Sequence, residues 1–353
     1  MIERLCREHG LTILMMVAVL AMQIVFSYGR LETAQELSRG EEKGWTSPKA
    51  KWKAFEKTLM PNATKSMPSP LAFFALVVGV VLLFGVGLVA DAIFLMQWIL
   101  ASSRGNPFFK SGQGRSGPWE VEDFFKLLVL FFFAASCLHS FLYIVGECRW
   151  VSRGTLDTLG LVLSSLGLYG LVLSALAFLG RKKDRKTAGF LKPVSWKEAA
   201  EGVRKGFSAY LVFVPPLAFL LFVSLLVCQL FGVEPQPHEL VEILRQTQAP
   251  VKLVYLGVLT MVMGPVVEEI VFRGVAYSAL RKRLGVVGAA GGSALIFALA
   301  HGNAAQTLPI FGMGMVLALL YEHTGNLIAP MAFHAVNNTL AFVLTMFVVS
   351  TMK

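Results

Sequence analysis

The stretch that decides the reading is Gly264-Pro265-Val266-Val267-Glu268-Glu269-Ile270-Val271-Phe272-Arg273. Two adjacent carboxylates and an arginine stand inside an apolar run long enough to cross a membrane. An ionisable residue near a bilayer centre costs about 2.5 to 3.5 kcal/mol on insertion scales, so such groups mark a site or a buried ion pair. If the run is helical, Glu269 and Arg273 are four apart and share a face. Glu268 then points roughly 100° away with no local partner. The alternative is that the whole cluster is a salt-bridge network holding helices in register.

The rest of the chain supplies the same setting. Of its 353 residues, 55% are hydrophobic and 15% charged, and the mean hydropathy is +0.64. Apolar segments of about 18 residues or more recur, each able to cross a hydrocarbon core of about 30 Å as a helix. Segments of about 10 residues with alternating polarity, the mark of a membrane barrel, do not occur. The expected fold is all-α, a polytopic transmembrane helical bundle of eight or nine spans. The formal net charge of +10 sits in the connections between spans. That suits positive-inside topology and anionic lipid headgroups rather than nucleic acid. Cys6, Cys137, Cys148 and Cys228 have no CxxC spacing and read as packing residues.

The expected spans fall at about residues 11–28, 71–100, 124–145, 156–179, 207–231, 253–281, 288–301, 308–321 and 327–349. The first reads as an uncleaved anchor, because no small-residue cleavage pattern follows it. The eighth is short enough to cross or to be re-entrant. A polar connection at 29–69 carries eight Lys or Arg. The basic patch Arg181, Lys182, Lys183, Arg185, Lys186 leads into Trp196 to Lys205, which reads as a helix on the membrane surface. This patch and the nearly neutral connection Glu234 to Pro250 set the orientation, with the amino terminus inside. Pro215-Pro216 predicts a kink, and Gly264-Pro265 a kink or break. Gly288 and Gly292, four apart, predict close helix approach. Residues 1–190 form an amino-terminal membrane region of about four spans, and residues 191–353 form a second region holding every candidate site residue.

That second region adds His301 at the end of the small-residue run, and His334 with Asn338 one turn later on the last. His334 and Asn338 share a helix face. Any one of these is compatible with a hydrogen-bonded core residue, but in lipid each needs a polar partner and all can find one by converging. Glutamate and histidine are usual general bases, and Glu268 with His301 could polarise a water. His334 and Asn338 could stabilise the oxyanion of an attacked peptide carbonyl. This is a hydrolase without a covalent nucleophile. Two histidines and a carboxylate are also a catalytic zinc set, here Glu268, His301 and His334. No HExxH or GxSxG pattern is present. A non-enzymatic membrane protein that binds a peptide in the same cavity and a proton-relay transporter are the rivals from other classes. The inverted repeats common in transporters are absent.

Glu268 to Arg273 fits EExxxR, Phe297 to His301 fits FxxxH, and His334 to Asn338 fits HxxxN. In that order the three resemble the CPBP family of intramembrane proteins, which holds type II CAAX prenyl endopeptidases and bacteriocin-processing or bacteriocin-immunity proteins. The resemblance covers residues 250–345. It implies an intramembrane endopeptidase, commonly labelled a metalloprotease, acting on a membrane protein or peptide. It implies that Glu268 and His301 activate water, that His334 and Asn338 form the oxyanion site, and that Glu269 and Arg273 support them. The location it implies is a multi-pass position in the bilayer, the cell (inner) membrane in a bacterium.

Overall fold

The computed structural model describes residues 70–103, 118–147, 153–181, 194–233, 239–247 and 249–352. The anchor at 11–28, the polar connection at 29–69 and most of the basic patch lie outside them. Among the described residues every regular element is a helix. In chain order these are α1 (Pro70–Ser103), α2 (Val121–Glu147), α3 (Arg153–Val162), α4 (Leu168–Arg181), α5 (Trp196–Leu230), α6 (Glu239–Gln246), α7 (Pro250–Val258), α8 (Gly264–Glu269), α9 (Ser278–Ala300), α10 (Ala304–Thr324) and α11 (Ile328–Met352). π-helical segments join α3 to α4 (Leu163–Gly167), α7 to α8 (Leu259–Met263) and α8 to α9 (Ile270–Tyr277).

Among the described residues, six helical stretches are long and apolar enough to cross a membrane: Val121–Gly146, Thr158–Arg181, Trp196–Leu230, Pro250–Ala300, Ala304–Thr324 and Ile328–Ser350. The apolar part of α1, Val78–Ile93, is shorter. The 51-residue stretch Pro250–Ala300 is two helices, because Gly285 breaks it at φ 71° and ψ −175°, a conformation open to glycine at little cost, and the second folds back so that Phe297 meets Phe272. The sixth and seventh runs of the sequence are therefore separate helices, as their spacing predicts. The eighth forms a helix of 21 residues.

Local chemistry sets the ends. Ser195 accepts from the N–H of Glu198 while its own N–H donates to the Glu198 carboxylate, the reciprocal cap that starts α5. Asn303 accepts from the Ala305 N–H and starts α10. Gly325, in the left-handed region at φ 73°, ends it. The Asn326 side chain then accepts from the N–H groups of Ile328 and Ala329 to begin α11.

The structure changes some of these expectations. The surface helix expected at Trp196 to Lys205 is the first part of the 35-residue α5, since nothing between Ser195 and Gly206 stops a helix. Of the kink or break expected at Gly264-Pro265, the break does not occur: Met263 and Gly264 keep helical dihedrals, and the widened turn before the proline makes room for its ring. Gly292 marks a close helix approach as expected, since a Cβ there would come within 3.2 Å of Leu280 on the other side of the Gly285 break, while a Cβ at Gly288 would meet Leu284 at 2.9 Å. The buried face of α9 is Ala289, Ala290, Ser293, Ala294 and Phe297, and its near neighbour is Gly314 of α10, where a Cβ would come within 2.8 Å of Ala294. Of the cysteines, Cys228 is buried as expected, but Cys137 is exposed on an apolar helix and does not pack.

The chain divides into two compact units, one including residues 122–183 and the other residues 60–121 and 184–353. In the first, Leu142 of α2 lies against Gly160 of α3. In the second, α5 is the central strut. Pro215 of α5 lies against Gly87 of α1, and Gly206 lies so close to α11 that a Cβ would overlap the Ala329 carbonyl oxygen. Tyr210 and Phe213 of α5 pack on Phe333 of α11, with ring centroids 5.3 and 5.7 Å away. The neighbour of Phe333 is His334, so this packing sets where one imidazole stands.

Candidate functional site

Glu269 and Arg273 are fully buried, and Arg273 Nη1 donates to Glu269 Oε1 at 2.8 Å. The second guanidinium nitrogen, Nη2, donates to the Gly314 carbonyl of α10 at 3.2 Å. That carbonyl is reachable because Gly314 lets α10 come close. Glu269 Oε1 also lies 2.8 Å from His334 Nδ1 on α11. An ion-paired carboxylate only accepts, so Nδ1 carries the proton and His334 Nε2 is left with its lone pair in the neutral ring. On the other side of the imidazole, Nε2 lies 3.8 Å from Glu268 Oε2. That is beyond a hydrogen bond, and Glu268 Oε2 is buried with no hydrogen-bond partner. The Glu268 side chain is 27% exposed while its neighbour Glu269 is at 0%. One carboxylate is thus locked in structure and the other is open on one side.

Phe297 of α9 ties the cluster together. Its ring centroid lies 4.9 Å from Phe272, 4.7 Å from His301 and 5.7 Å from His334, all edge to face. The Arg273 guanidinium carbon sits 4.5 Å above it, within cation–π range. The Phe297 carbonyl, near the end of α9 where helical donors run out, is 2.7 Å from His301 Nδ1. A carbonyl only accepts, so His301 also holds its proton on Nδ1 and presents Nε2 as an acceptor.

The structure therefore joins Glu269, Arg273 and His334 by hydrogen bonds, sets Glu268 3.8 Å from His334, and links His301 to them through Phe297. Asn338, one turn beyond His334, makes a different contact: its Nδ2 donates to the Thr260 carbonyl at 3.1 Å. Its Oδ1 accepts from Asn337 Nδ2 at 3.3 Å. Phe297 as a hub, and Thr260, Gly314 and Asn337 as partners, are not visible from spacing, since all act through a ring, a backbone carbonyl or an adjacent amide.

A divalent ion would call on Glu268, His301 and His334. Among the described residues no group of three or more His, Cys, Asp or Glu side chains is gathered closely enough to hold one. Glu268 and His334 face one another, and His301 does not complete the set.

A second buried polar cluster lies farther along the same helical run. Tyr277 Oη donates to Glu322 Oε2 at 2.7 Å, and Arg281 Nη2 donates to Glu322 Oε1 at 3.1 Å. Tyr277 and Tyr321 pack edge to face above a core of Ala289, Ala290, Ala318 and Leu327. Together with Arg273 on Gly314, this fastens the run carrying Glu268 to α10 at two levels.

Apolar helices that gather a carboxylate, two imidazoles and a buried ion pair define an integral, multi-pass membrane protein with a polar centre inside the bilayer. Residues 250–340 match the family described as Rce1-like, type II CAAX prenyl endopeptidase. Over this segment the chain is similar to the CPBP family of intramembrane proteins. It is similar to the membrane-embedded CAAX protease MroQ of Staphylococcus aureus (strain USA300), 31% identical over 140 residues, covering 37% of this chain and 54% of that protein. It is also similar to YdiL of Bacillus subtilis (strain 168), named as a membrane peptidase, 29% identical over 87 residues, covering 25% of this chain and 36% of that protein. The match thus spans about half the length of the first relative and about a third of the second. No solved structure matches the chain at a significant level.

Proposed function

We propose that this protein is an intramembrane endopeptidase that hydrolyses a peptide bond near the terminus or lipid anchor of a membrane-associated substrate. Residues 191–353 are its protease core. The observation that carries the proposal is Glu268 Oε2, a buried carboxylate oxygen without a hydrogen-bond partner, facing His334 beside a locked Glu269–Arg273 pair. A buried polar atom left unmatched in the resting protein is costly, and a site keeps one where a water or substrate group completes it. The names of the family and of its relatives give the same class of reaction.

In this mechanism Glu268 takes a proton from a water oriented by His301 Nε2, and the resulting hydroxide adds to the peptide carbonyl. The Asn338 amide holds the oxyanion of the tetrahedral intermediate. His334 joins it only when Nε2 also carries a proton, because Glu269 keeps the other proton on Nδ1. Glu268 returns its proton to the departing amine as the carbon–nitrogen bond breaks. Glu269 and Arg273 hold the His334 ring and give no proton.

Glu268→Gln tests this. The variant keeps shape and helix packing, so it should insert and unfold like the parent. General base catalysis is worth about 10²- to 10⁴-fold, and cleavage should fall by that much. Comparing peptide termini across the membrane proteome, with parent and variant expressed in turn, identifies the substrate and its cut bond together. Cleavage at the parental rate in Glu268→Gln would reject the assignment.

A further inference from the structure

Proline inside a membrane helix removes one backbone donor and so leaves one carbonyl without its helical partner. In this chain the carbonyl can be named. The N–H of Gly264 reaches back five residues to the Leu259 carbonyl, the spacing of a π-helical turn. Carried forward one residue, the pattern assigns the Thr260 carbonyl to the N–H of residue 265. Residue 265 is proline, and no such N–H exists. The Thr260 carbonyl is occupied instead by Asn338 Nδ2, arriving from α11 at 3.1 Å.

We infer that Pro265 is a positioning residue for Asn338: by withholding a backbone donor it turns the Thr260 carbonyl into an anchor that orients the Asn338 carboxamide. One amide hydrogen is spent on Thr260 and Oδ1 faces Asn337, so the second hydrogen is the one left for a ligand. Pro265 does not act as a hinge, because the backbone on its amino-terminal side stays helical and its run breaks at Gly285. The catalytic part of this inference rests on the oxyanion role proposed for Asn338, but the anchor itself does not.

The test is a cycle of Pro265→Ala, Asn338→Ala and the double variant, made in the full-length protein in lipid bicelles. Thermal stability is read first, because it needs no substrate. Asn338→Ala leaves the Thr260 carbonyl without a donor and should lower Tm. Adding Pro265→Ala supplies the missing N–H and should recover most of that loss. A double variant no more stable than Asn338→Ala overturns the anchor. Cleavage is then read on a peptide spanning the bond found by the terminus comparison. Pro265→Ala alone should keep KM and lower kcat by about 10- to 100-fold, the scale of a small misplacement of a catalytic group. In the Asn338→Ala background it should change kcat no further. A Pro265→Ala protein with the parental kcat, where Asn338→Ala is impaired, overturns the positioning role and leaves the oxyanion reading standing. If Asn338→Ala itself cleaves normally, the oxyanion reading fails, and the stability cycle still decides the anchor.

Discussion

Replacing Arg273 with methionine keeps most of the side-chain volume and removes the charge, the two hydrogen bonds and the stack on Phe297. In the parent the guanidinium is fully buried, 2.8 Å from Glu269 and 3.2 Å from the Gly314 carbonyl. Removing one member of a buried pair typically costs 3 to 5 kcal/mol, most of it from the charge left behind. Here the stranded charge is Glu269, and His334 Nδ1 at 2.8 Å still offers it a donor. The expected loss therefore sits at the lower end, about 3 kcal/mol. The companion variant is Glu269→Gln with Arg273→Met, which removes both charges. Because a buried pair replaced by neutral groups of similar volume is often close to neutral in stability, the double variant should regain about 2 kcal/mol over Arg273→Met. Reversible unfolding in mixed micelles, followed by circular dichroism, gives both differences. An Arg273→Met protein that unfolds within about 0.5 kcal/mol of the parent, or a double variant no more stable than the single one, would refute this account of the pair. Cleavage should remain impaired in both, since neither holds the His334 ring as the parent does.

Two further perturbations probe the scaffold. Gly206→Val puts a branched side chain where even a Cβ overlaps the Ala329 carbonyl; overpacking of this kind costs about 1 to 3 kcal/mol. Its Tm should drop, and cleavage should fall with it because Phe333 and His334 move. A Gly206→Val protein with parental Tm would show that α5 and α11 are not in such close contact. Tyr277→Phe removes one hydrogen bond to Glu322 and leaves Arg281 in place; bonds to charged groups contribute about 1.5 to 3 kcal/mol. Denaturant unfolding should show that loss, and an unchanged midpoint would mean that Arg281 alone satisfies Glu322.

Contacts made within one element are legible in the sequence. The Glu269–Arg273 pair follows from a spacing of four in a helix, because both ends of the contact lie on one element. The turn at Thr324, Gly325 and Asn326 follows from residues that favour the left-handed region and helix caps. The partners of His334 and Asn338 are different in kind. Glu269 is 65 residues from His334 and the Thr260 carbonyl 78 residues from Asn338, and no local periodicity links them. The Tyr277–Glu322 bond spans 45 residues and leaves no motif. The small-residue run at 288–294 announces a close approach but not all of its partners. Small residues permit close approach, but which of them meets a neighbour depends on how the helix is turned.

The amino-acid order alone determined that this chain lies in a bilayer as helices, because lipid leaves the backbone no other way to satisfy its hydrogen bonds at that apolar length. It also determined which polar side chains stand inside the apolar runs. Only the packed helices decided which carboxylate is locked and which is open, since that depends on one imidazole coming from α11 and one carbonyl from α10. They also decided that the missing N–H of Pro265 is matched by Asn338, because a donor's absence is written in the sequence but its replacement arrives through space.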